Sequence, residues 1–333
     1  MTQEIQNAKT LIHAYHVARD AAAPGAGLSD VCRAHLAPDH AYRGPYPFDE
    51  ISGPAALADT VWSPLKSAMP LLQRRPDIFF AGQNHLDADG ATWAVEMGNF
   101  LGDFTSPWLG IPPTGKLTYL PYAAMYLVRD RQIVETVEFL DILAVLTQAG
   151  RNPFAPSQTG GLILSPGPKT HDGILTAAQD ADATRATYDL THAMLTDLAK
   201  TYASSQEHLE RFWHPDMNWH GPTGIGASVG IPGYQRGHTG PFQDLQEVVE
   251  IHDWELALAE GNYSAFMWRP CLTLRNTGGY LGVPANVAAA DMRVVDLYRR
   301  DGDKLAENWI FIDILHFMKM QGADLLAEIG DKA

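Results

Sequence analysis

Apolar positions along the chain recur with two different periods. Near the start, Ile5, Ala8, Ile12 and Tyr15 follow one another at spacings of three and four residues. That spacing places them on one face of a helix. A second helix of the same kind is predicted over residues 188–198.

Runs rich in β-branched and aromatic residues predict strands. In chain order these runs are 92–100, 117–129, 132–140, 263–274, 289–299 and 304–312. Asp130-Arg131 and Asp301–Asp303 lie between consecutive runs and are typical of hairpin turns. A further helix is predicted over 241–249, ahead of the later strands. Helices followed by several antiparallel strands indicate an α+β fold, not alternating βα units.

An internal repeat divides the chain into two similar parts. Leu109–Pro112 recurs as Leu281–Pro284 at an offset of 172 residues, and Pro38–Pro45 aligns with Pro215–Pro222 at an offset of 177. Two ungapped blocks in the same order indicate a duplication. The Pro- and Gly-rich segment between the copies cannot sustain a helix or a central strand. The predicted units are a domain at 1–150, a linker at 151–180 and a second domain at 181–333.

Charge and cysteine content narrow the classes of partner. The chain has 24 Lys and Arg against 39 Asp and Glu, a formal net charge of −15. Nucleic acids and anionic membranes attract basic surfaces, so neither is an expected partner. Cys32 and Cys271 are too few for a disulfide framework and indicate a reducing compartment. Without a long apolar stretch or a signal-peptide pattern, we expect a cytoplasmic protein.

Three motifs carry a family resemblance. Gly110–Lys116 reads Gly-Ile-Pro-Pro-Thr-Gly-Lys, and the segments Ile133–Asp141 and Leu305–Asp313 both have Glu in third place and Asp at the end. Gln148–Gly150 and Gln321-Gly322 follow, each with its glycine nine residues after the Asp. On these motifs the chain resembles the SnoaL-like polyketide cyclases of the nuclear transport factor 2-like superfamily, in tandem. It departs from the family pattern in two places. The chain has Val137 where the pattern has Trp, and it has Asn286-Val287-Ala288 where the pattern has Thr-Gly-Lys.

The resemblance implies an α+β architecture of two tandem cone-shaped domains, each a curved antiparallel sheet packed on helices around one pocket. Single-domain relatives often dimerise, so it also implies an internal pseudo-dimer, with further homo-oligomers left open. The activity implied is a cofactor-independent intramolecular aldol ring closure, or a related lyase or isomerase reaction. An aspartate at the end of the closing strand would be the acid–base group.

Asp313 and, on fewer supporting residues, Asp141 are the counterparts of that aspartate. Asp313 shares strand parity with Trp309 and Phe311, and a carboxyl among aromatic rings has a raised pKa. Such a group suits proton abstraction next to a carbonyl. The alternative is structural, because each Asp precedes an apolar helical run and is a good helix N-cap.

Candidate substrate-binding residues cluster in the second half. Asn218 and His220 alternate to one face beside a Gly-Pro turn, and Arg269 lies among apolar neighbours. The alternatives are a solvent-facing histidine and an arginine paired with a structural acid. The density of aromatic residues suits a hydrophobic cavity, although such residues are more often core. The aromatic candidates are Trp219, Tyr298 and Trp309.

The sequence favours a polyketide-cyclase-like enzyme that acts on a hydrophobic, oxygenated small molecule. No phosphate-binding loop, dinucleotide fingerprint or ligand-spaced His/Cys cluster occurs in it, so neither a metal nor an organic cofactor is expected. The second half is expected to carry the chemistry. The alternative is a non-catalytic small-molecule-binding protein of the same fold.

Overall fold

The structure, a computed structural model, describes residues 2–88, 90–154, 164–201 and 205–330. The first half forms a six-stranded sheet in the order β2-β1-β6-β5-β4-β3. Its strands are β1 (Leu36–Arg43), β2 (Glu50–Ser52), β3 (Gln73–Gln83), β4 (Thr92–Asp103), β5 (Leu117–Arg129) and β6 (Gln132–Leu140). Its helices are α1 (Thr2–Ala21), α2 (Ala26–His35), α3 (Pro54–Leu57), a π-helical turn (Ala58–Trp62), α4 (Ser63–Ala68) and α5 (Ile142–Gln148).

The second half forms a seven-stranded sheet in the order β10-β11-β12-β13-β7-β8, with β9 also paired to β11. Its strands are β7 (Trp213–His220), β8 (Ala227–Val229), β9 (Gln246–Ile251), β10 (Leu256–Glu260), β11 (Tyr263–Asn276), β12 (Ala289–Asp301) and β13 (Lys304–Ile312). Its helices are α6 (Ala181–Thr201), α7 (Gln206–Leu209), α8 (Gly230–Tyr234), a π-helical turn (Gln235–Thr239), α9 (Gly240–Leu245), a 3-10 turn (Tyr280–Gly282), α10 (Ile314–Met320) and α11 (Ala327–Gly330). None of the helices in the described ranges combines the length and the apolar character that a membrane crossing requires.

The two sheets have corresponding strand orders, except that β9 and β10 both pair with β11 where the first sheet has β3 alone paired with β4. In each half the first strand pairs in parallel with the last one, β1 with β6 and β7 with β13. The remaining neighbours along each sheet pair antiparallel. In each half a π-helical turn runs into a short helix with proline in its first turn, Pro64 or Pro241. The chain is therefore mixed α+β with two sheets.

Besides the strands that the sequence did not predict, two details of the second half differ from the prediction. The helix predicted over 241–249 ends at Leu245, and Gln246–Ile251 is a strand. Val248 and Val249 are β-branched and fit a pleated surface better than a helix. The register of β11 against β12 shifts between Trp268 and Leu272, a bulge that the sequence pattern did not reveal. Residues 155–163 of the predicted linker lie outside the described residues.

Each sheet is buried on both faces. One face packs on the helices of its own half, and the other packs against the second sheet. The layer between the sheets is apolar and closely packed, with Val95 and Met125 from the first half and Val295, Trp309 and Phe311 from the second. The inner face of the second sheet, which lies opposite this layer, encloses a cavity.

Candidate functional site

A cavity of about 350 Å³ lies within the second half. α6, β7, the π-helical turn and the strands β11, β12 and β13 contribute its walls. Its interior is predominantly aromatic, and sites for small organic molecules have this character. The aromatic wall residues are Phe212, Trp213, Trp219, Tyr234, Trp254, Trp268 and Tyr298.

Asp296 is the buried carboxylic acid of this cavity, with 7% of its surface exposed. Burial raises its pKa to about 7, and hydrogen bonds from Asn308 and Tyr298 oppose that rise. The Asn308 amide donates to Asp296 Oδ1 at 2.9 Å and to the Leu297 carbonyl at 3.0 Å, so its orientation is fixed. A carboxyl with a pKa near neutrality can both accept and return a proton at physiological pH.

His238 faces the same cavity from the π-helical turn. Its ring stacks on Trp219 with centroids 4.4 Å apart and an interplanar angle of 17°. Its Nδ1 atom is buried and has no hydrogen-bond partner, and burial lowers its pKa to about 4. His238 is therefore a neutral imidazole with an unused polar atom in an aromatic cavity. Single π-helical turns of this kind are frequent at functional sites.

Polar side chains also line the cavity. His208 Nε2 hydrogen-bonds Asp197 Oδ2, and Arg211 Nη1 lies 3.7 Å from the other oxygen of that carboxylate. Lys200 and Asp253, which line the cavity as well, are exposed. Aromatic walls with a few polar side chains suit a ligand with an apolar body and a few oxygen atoms.

Asp313, the principal catalytic residue predicted from the sequence, lies outside the residues that line this cavity. Its Oδ1 accepts a hydrogen bond from the His316 amide at 3.1 Å, so Asp313 is the N-cap of α10. Its Oδ2 accepts the Tyr46 amide at 3.0 Å and Arg293 Nη1 at 3.3 Å. Burial raises its pKa despite these contacts. The geometry corresponds to the capping alternative.

Asp141 has the equivalent arrangement in the first half. Its Oδ1 accepts the Ala144 amide at 3.2 Å and caps α5. Its Oδ2 accepts the backbone amide and the hydroxyl of Thr223 at 2.9 and 2.8 Å. Both predicted catalytic aspartates are therefore helix caps that also bind the Gly-Pro turn of the opposite half.

The predicted substrate-binding residues separate into two groups. Trp219 and Tyr298 line the cavity. Asn218, His220, Arg269 and Trp309 do not belong to its lining.

The residues of the second group have other contacts. Trp309 lies in the layer between the sheets, where His220 stacks on it with ring centroids 5.5 Å apart. Arg269 donates to the Gly44 carbonyl of the first half at 3.3 and 3.4 Å. Asn218 is half-buried on β7, opposite Val229 of β8. These residues therefore face away from the cavity.

Sequence reasoning missed Asp296, Asn308 and His238. One signal was available, because Asp296 is a single acid within the apolar run 294–298. At the repeat offset of 172 it corresponds to Ala124, so the acid is specific to the second half. His238 carries no comparable signal, since its role depends on how the π-helical turn meets β7.

The interior of the first half is occupied by charged side chains. Glu96 accepts from Arg74 at 2.7 Å and from Tyr122 at 2.6 Å, and Arg19 lies 4.0 Å above the ring of Trp62. Glu96 pairs across the sheet with Ala124. In the second half the paired positions are Phe266 and Asp296. Glu96 therefore lies on β4, whereas Asp296 lies on β12, the counterpart of β5, and lines the aromatic cavity.

Among the described residues, no group of three or more His, Cys, Asp or Glu side chains is arranged to hold a metal ion. The polar residues that line the cavity include Asp296, Asn308, Tyr298 and His238.

Comparison with known proteins identifies a SnoaL-like domain at residues 200–308. Among curated proteins, none matches the sequence. Solved structures similar to part of the chain include a candidate SnoaL-like polyketide cyclase from a Jannaschia species, with 23% identity and a TM-score of 0.34 over 44% of this chain and 94% of that one. A candidate polyketide cyclase from Xanthomonas campestris has 22% identity and a TM-score of 0.33, covering 44% and 98%. A nuclear transport factor 2-like protein from Burkholderia xenovorans has 13% identity and a TM-score of 0.34, covering 41% and 97%.

Proposed function

We propose that the second half is a cofactor-independent acid–base enzyme of the polyketide-cyclase type, a lyase or isomerase. It abstracts a proton next to a carbonyl group of a hydrophobic, oxygenated molecule with an aromatic or ring-sized body. The observation that carries this proposal is the carboxyl of Asp296, buried in an aromatic cavity with a pKa of about 7. We assign the acid–base role to Asp296 in place of Asp313.

Each neighbouring residue has a part in this proposal. Asn308 fixes the rotamer of the Asp296 carboxylate through its amide. His238 is neutral, and a neutral imidazole can hydrogen-bond a carbonyl oxygen as negative charge develops on it. Trp219 and Trp254 provide flat apolar surfaces against which a planar substrate can lie.

We also propose that the chain is a tandem duplication of one cone-shaped unit that forms an internal pseudo-dimer. The corresponding strand orders, the paired π-helical turns and the two repeated sequence blocks support this origin. In this arrangement the first half, with its charged interior, is a scaffold. The second half retains the open cavity.

The first prediction tests the acid–base role with a simple ketone. If Asp296 is the base, the protein should catalyse exchange of the α-protons of 2-tetralone for deuterium. Asp296→Asn should reduce the exchange rate about a hundredfold or more, the usual contribution of a positioned proton-transfer group. Proton NMR in D₂O measures the rate, and 2-tetralone binding is measured in parallel by calorimetry.

Two variants serve as controls. Glu138→Gln removes a buried carboxyl of the first half and should keep the exchange rate. Asp313→Asn keeps a capping side chain and distinguishes the two aspartates. If exchange is lost in Asp313→Asn and kept in Asp296→Asn, our assignment is wrong. Binding of 2-tetralone without any exchange by the native protein would favour the non-catalytic binding protein instead.

The second prediction concerns the pH dependence of the same exchange. Only the ionised carboxylate accepts a proton, and its fraction rises as the pH passes the pKa of about 7. The catalysed rate should therefore increase from pH 5.5, reach half its maximum near pH 7 and level off above about pH 8. Rates are corrected for hydroxide-catalysed exchange without protein. A rate that falls across this interval would contradict a carboxylate base.

A further inference from the structure

Trp219 lies on the first arm of a hairpin, and His238 lies beyond the end of the second arm. Trp219 belongs to β7 and is paired with Ser228 of β8. β8 leads directly into α8 and the π-helical turn that carries His238. The His238 ring then stacks back on Trp219. The turn at 221–226, which joins the arms, therefore controls how these two parts of the cavity wall meet.

A residue of the first half binds this turn. The Asp141 carboxylate accepts both the amide and the hydroxyl of Thr223 on one oxygen, at 2.9 and 2.8 Å. Thr223 is 1% exposed and Asp141 is 8% exposed. Hydrogen bonds to a charged group in such a buried place are stronger than neutral ones. The contact fixes both the backbone and the side chain of Thr223.

The same turn is packed from a second side. Gly224 has a φ of 99°, and a Cβ at this position would lie 2.6 Å from the ring of Phe154. Phe154 is buried and follows the first half along the chain. Ile225, also in this turn, is 4% exposed and belongs to the hydrophobic core. The turn is therefore held between the two halves, with little room to change conformation.

We propose that Asp141, together with Thr223, is a positioning residue for the cavity of the second half. By binding the 221–226 turn, the first half sets the angle between β7 and the helices after β8, and so holds His238 against Trp219. The inference rests on the proposed function only in taking this cavity as the working site. It assigns the first half a part in building that site.

The corresponding contact between Asp313 and the first half provides a matched control. Asp313 of the second half accepts the amide of Tyr46 in the turn that leads to β2 and α3 of the first half. Loss of this contact should loosen residues 46–62. It should not loosen 227–239.

The test is hydrogen–deuterium exchange, resolved by segment, on the whole protein without ligand. Thr223→Val keeps the side-chain volume and removes the hydroxyl, while Asp141→Asn keeps a capping side chain. Each should accelerate amide exchange in 227–239 about tenfold or more, the factor for losing a hydrogen bond to a charged group. Each should also weaken binding of 2-naphthol several-fold. Thr223→Ser, which retains the hydroxyl, should restore both properties, and Asp313→Asn should alter 46–62 instead.

Two results would overturn the proposal. One is unchanged exchange in 227–239 for both Thr223→Val and Asp141→Asn. The other is equal acceleration throughout the second half, which would mean that the contact contributes general stability and positions nothing. Neither readout requires turnover. If the native protein does not catalyse α-proton exchange of 2-tetralone, the proposed function is wrong. The pattern of amide hydrogen–deuterium exchange in the protein still decides the positioning role.

Discussion

Replacing Asp296 with asparagine is expected to stabilise the protein above pH 7 by on the order of 4 kcal/mol. The reason is the cost of burying a charged carboxylate, which raises the pKa from 3.8 to about 7. Each pKa unit corresponds to about 1.4 kcal/mol. Asparagine carries no charge at any pH and can keep the hydrogen bond with Asn308. The activity lost in this variant should therefore be accompanied by a gain in stability.

The direction in which the stability changes with pH follows from proton binding. Between about pH 4 and 7 the folded protein keeps a proton on Asp296 that the unfolded chain has lost. The stability of the native protein should therefore fall as the pH rises through this interval and level off above about 7. Urea denaturation at pH 4.5, 6 and 8 measures this. Asp296→Asn should match the native protein near pH 4.5 and exceed it at pH 8.

Glu138 provides the control for this measurement. Burial raises its pKa to about 7 in the first half, so it adds a fall of the same sign. Glu138→Gln should remove the fall in stability that Glu138 causes and leave the fall that Asp296 causes. If Asp296→Asn and the native protein show the same pH dependence, Asp296 does not have a raised pKa. The acid–base proposal would then lose its main support.

Much of the strand pattern could be predicted from the sequence. The strands 117–129, 132–140 and 304–312 have the predicted bounds. Their apolar runs are long, and hairpin turns separate consecutive strands, so their ends are well defined. The long strand β3 and the short strands β2, β8, β9 and β10 were missed. β9 follows a short helix without any turn residue between them, and its pattern is not separable from a helix by apolar content alone.

The candidate site was harder to predict, and the reason is that each sheet is buried on both faces. Strand parity correctly places Trp309 and Phe311 on one face of β13, whereas Asp313 lies beyond the end of the strand. The alternation of side chains along a strand does not show which face of the sheet encloses the cavity, because apolar residues occupy both faces. The neighbours Asn308 and Ile310 face the cavity, whereas Trp309 and Phe311 face the other sheet. A surface sheet with one polar face would have removed this ambiguity.

The position of Asp313 shows a second limit. Its place before an apolar helical run is equally consistent with a helix cap and with an acid–base group. The contact that decides between them is the amide of Tyr46, more than 250 residues away in the chain. A contact between two halves of a protein leaves no pattern in the sequence near either residue. Asp296, by contrast, was detectable as an acid absent from the other copy.

Trp309→Ala is expected to lower the free energy of unfolding by about 3–5 kcal/mol, the usual cost of removing a fully buried tryptophan. Trp309 is 0% exposed between the two sheets, and its indole N–H donates to the Pro166 carbonyl at 2.8 Å. Truncation would leave both a void and an unpaired carbonyl. Since the side chain faces away from the cavity, affinity for 2-naphthol should change little at temperatures where the variant is folded.

Trp219→Ala is the matched comparison, because it removes a tryptophan of the same sheet from the opposite face. This variant should lose most of its affinity for 2-naphthol, since Trp219 lines the cavity and stacks on His238. Denaturant unfolding and calorimetric titration of both variants give the two quantities. If Trp309→Ala lost affinity while remaining as stable as the native protein, the ligand would bind on the face between the sheets. The cavity around Asp296 would then not be the binding site.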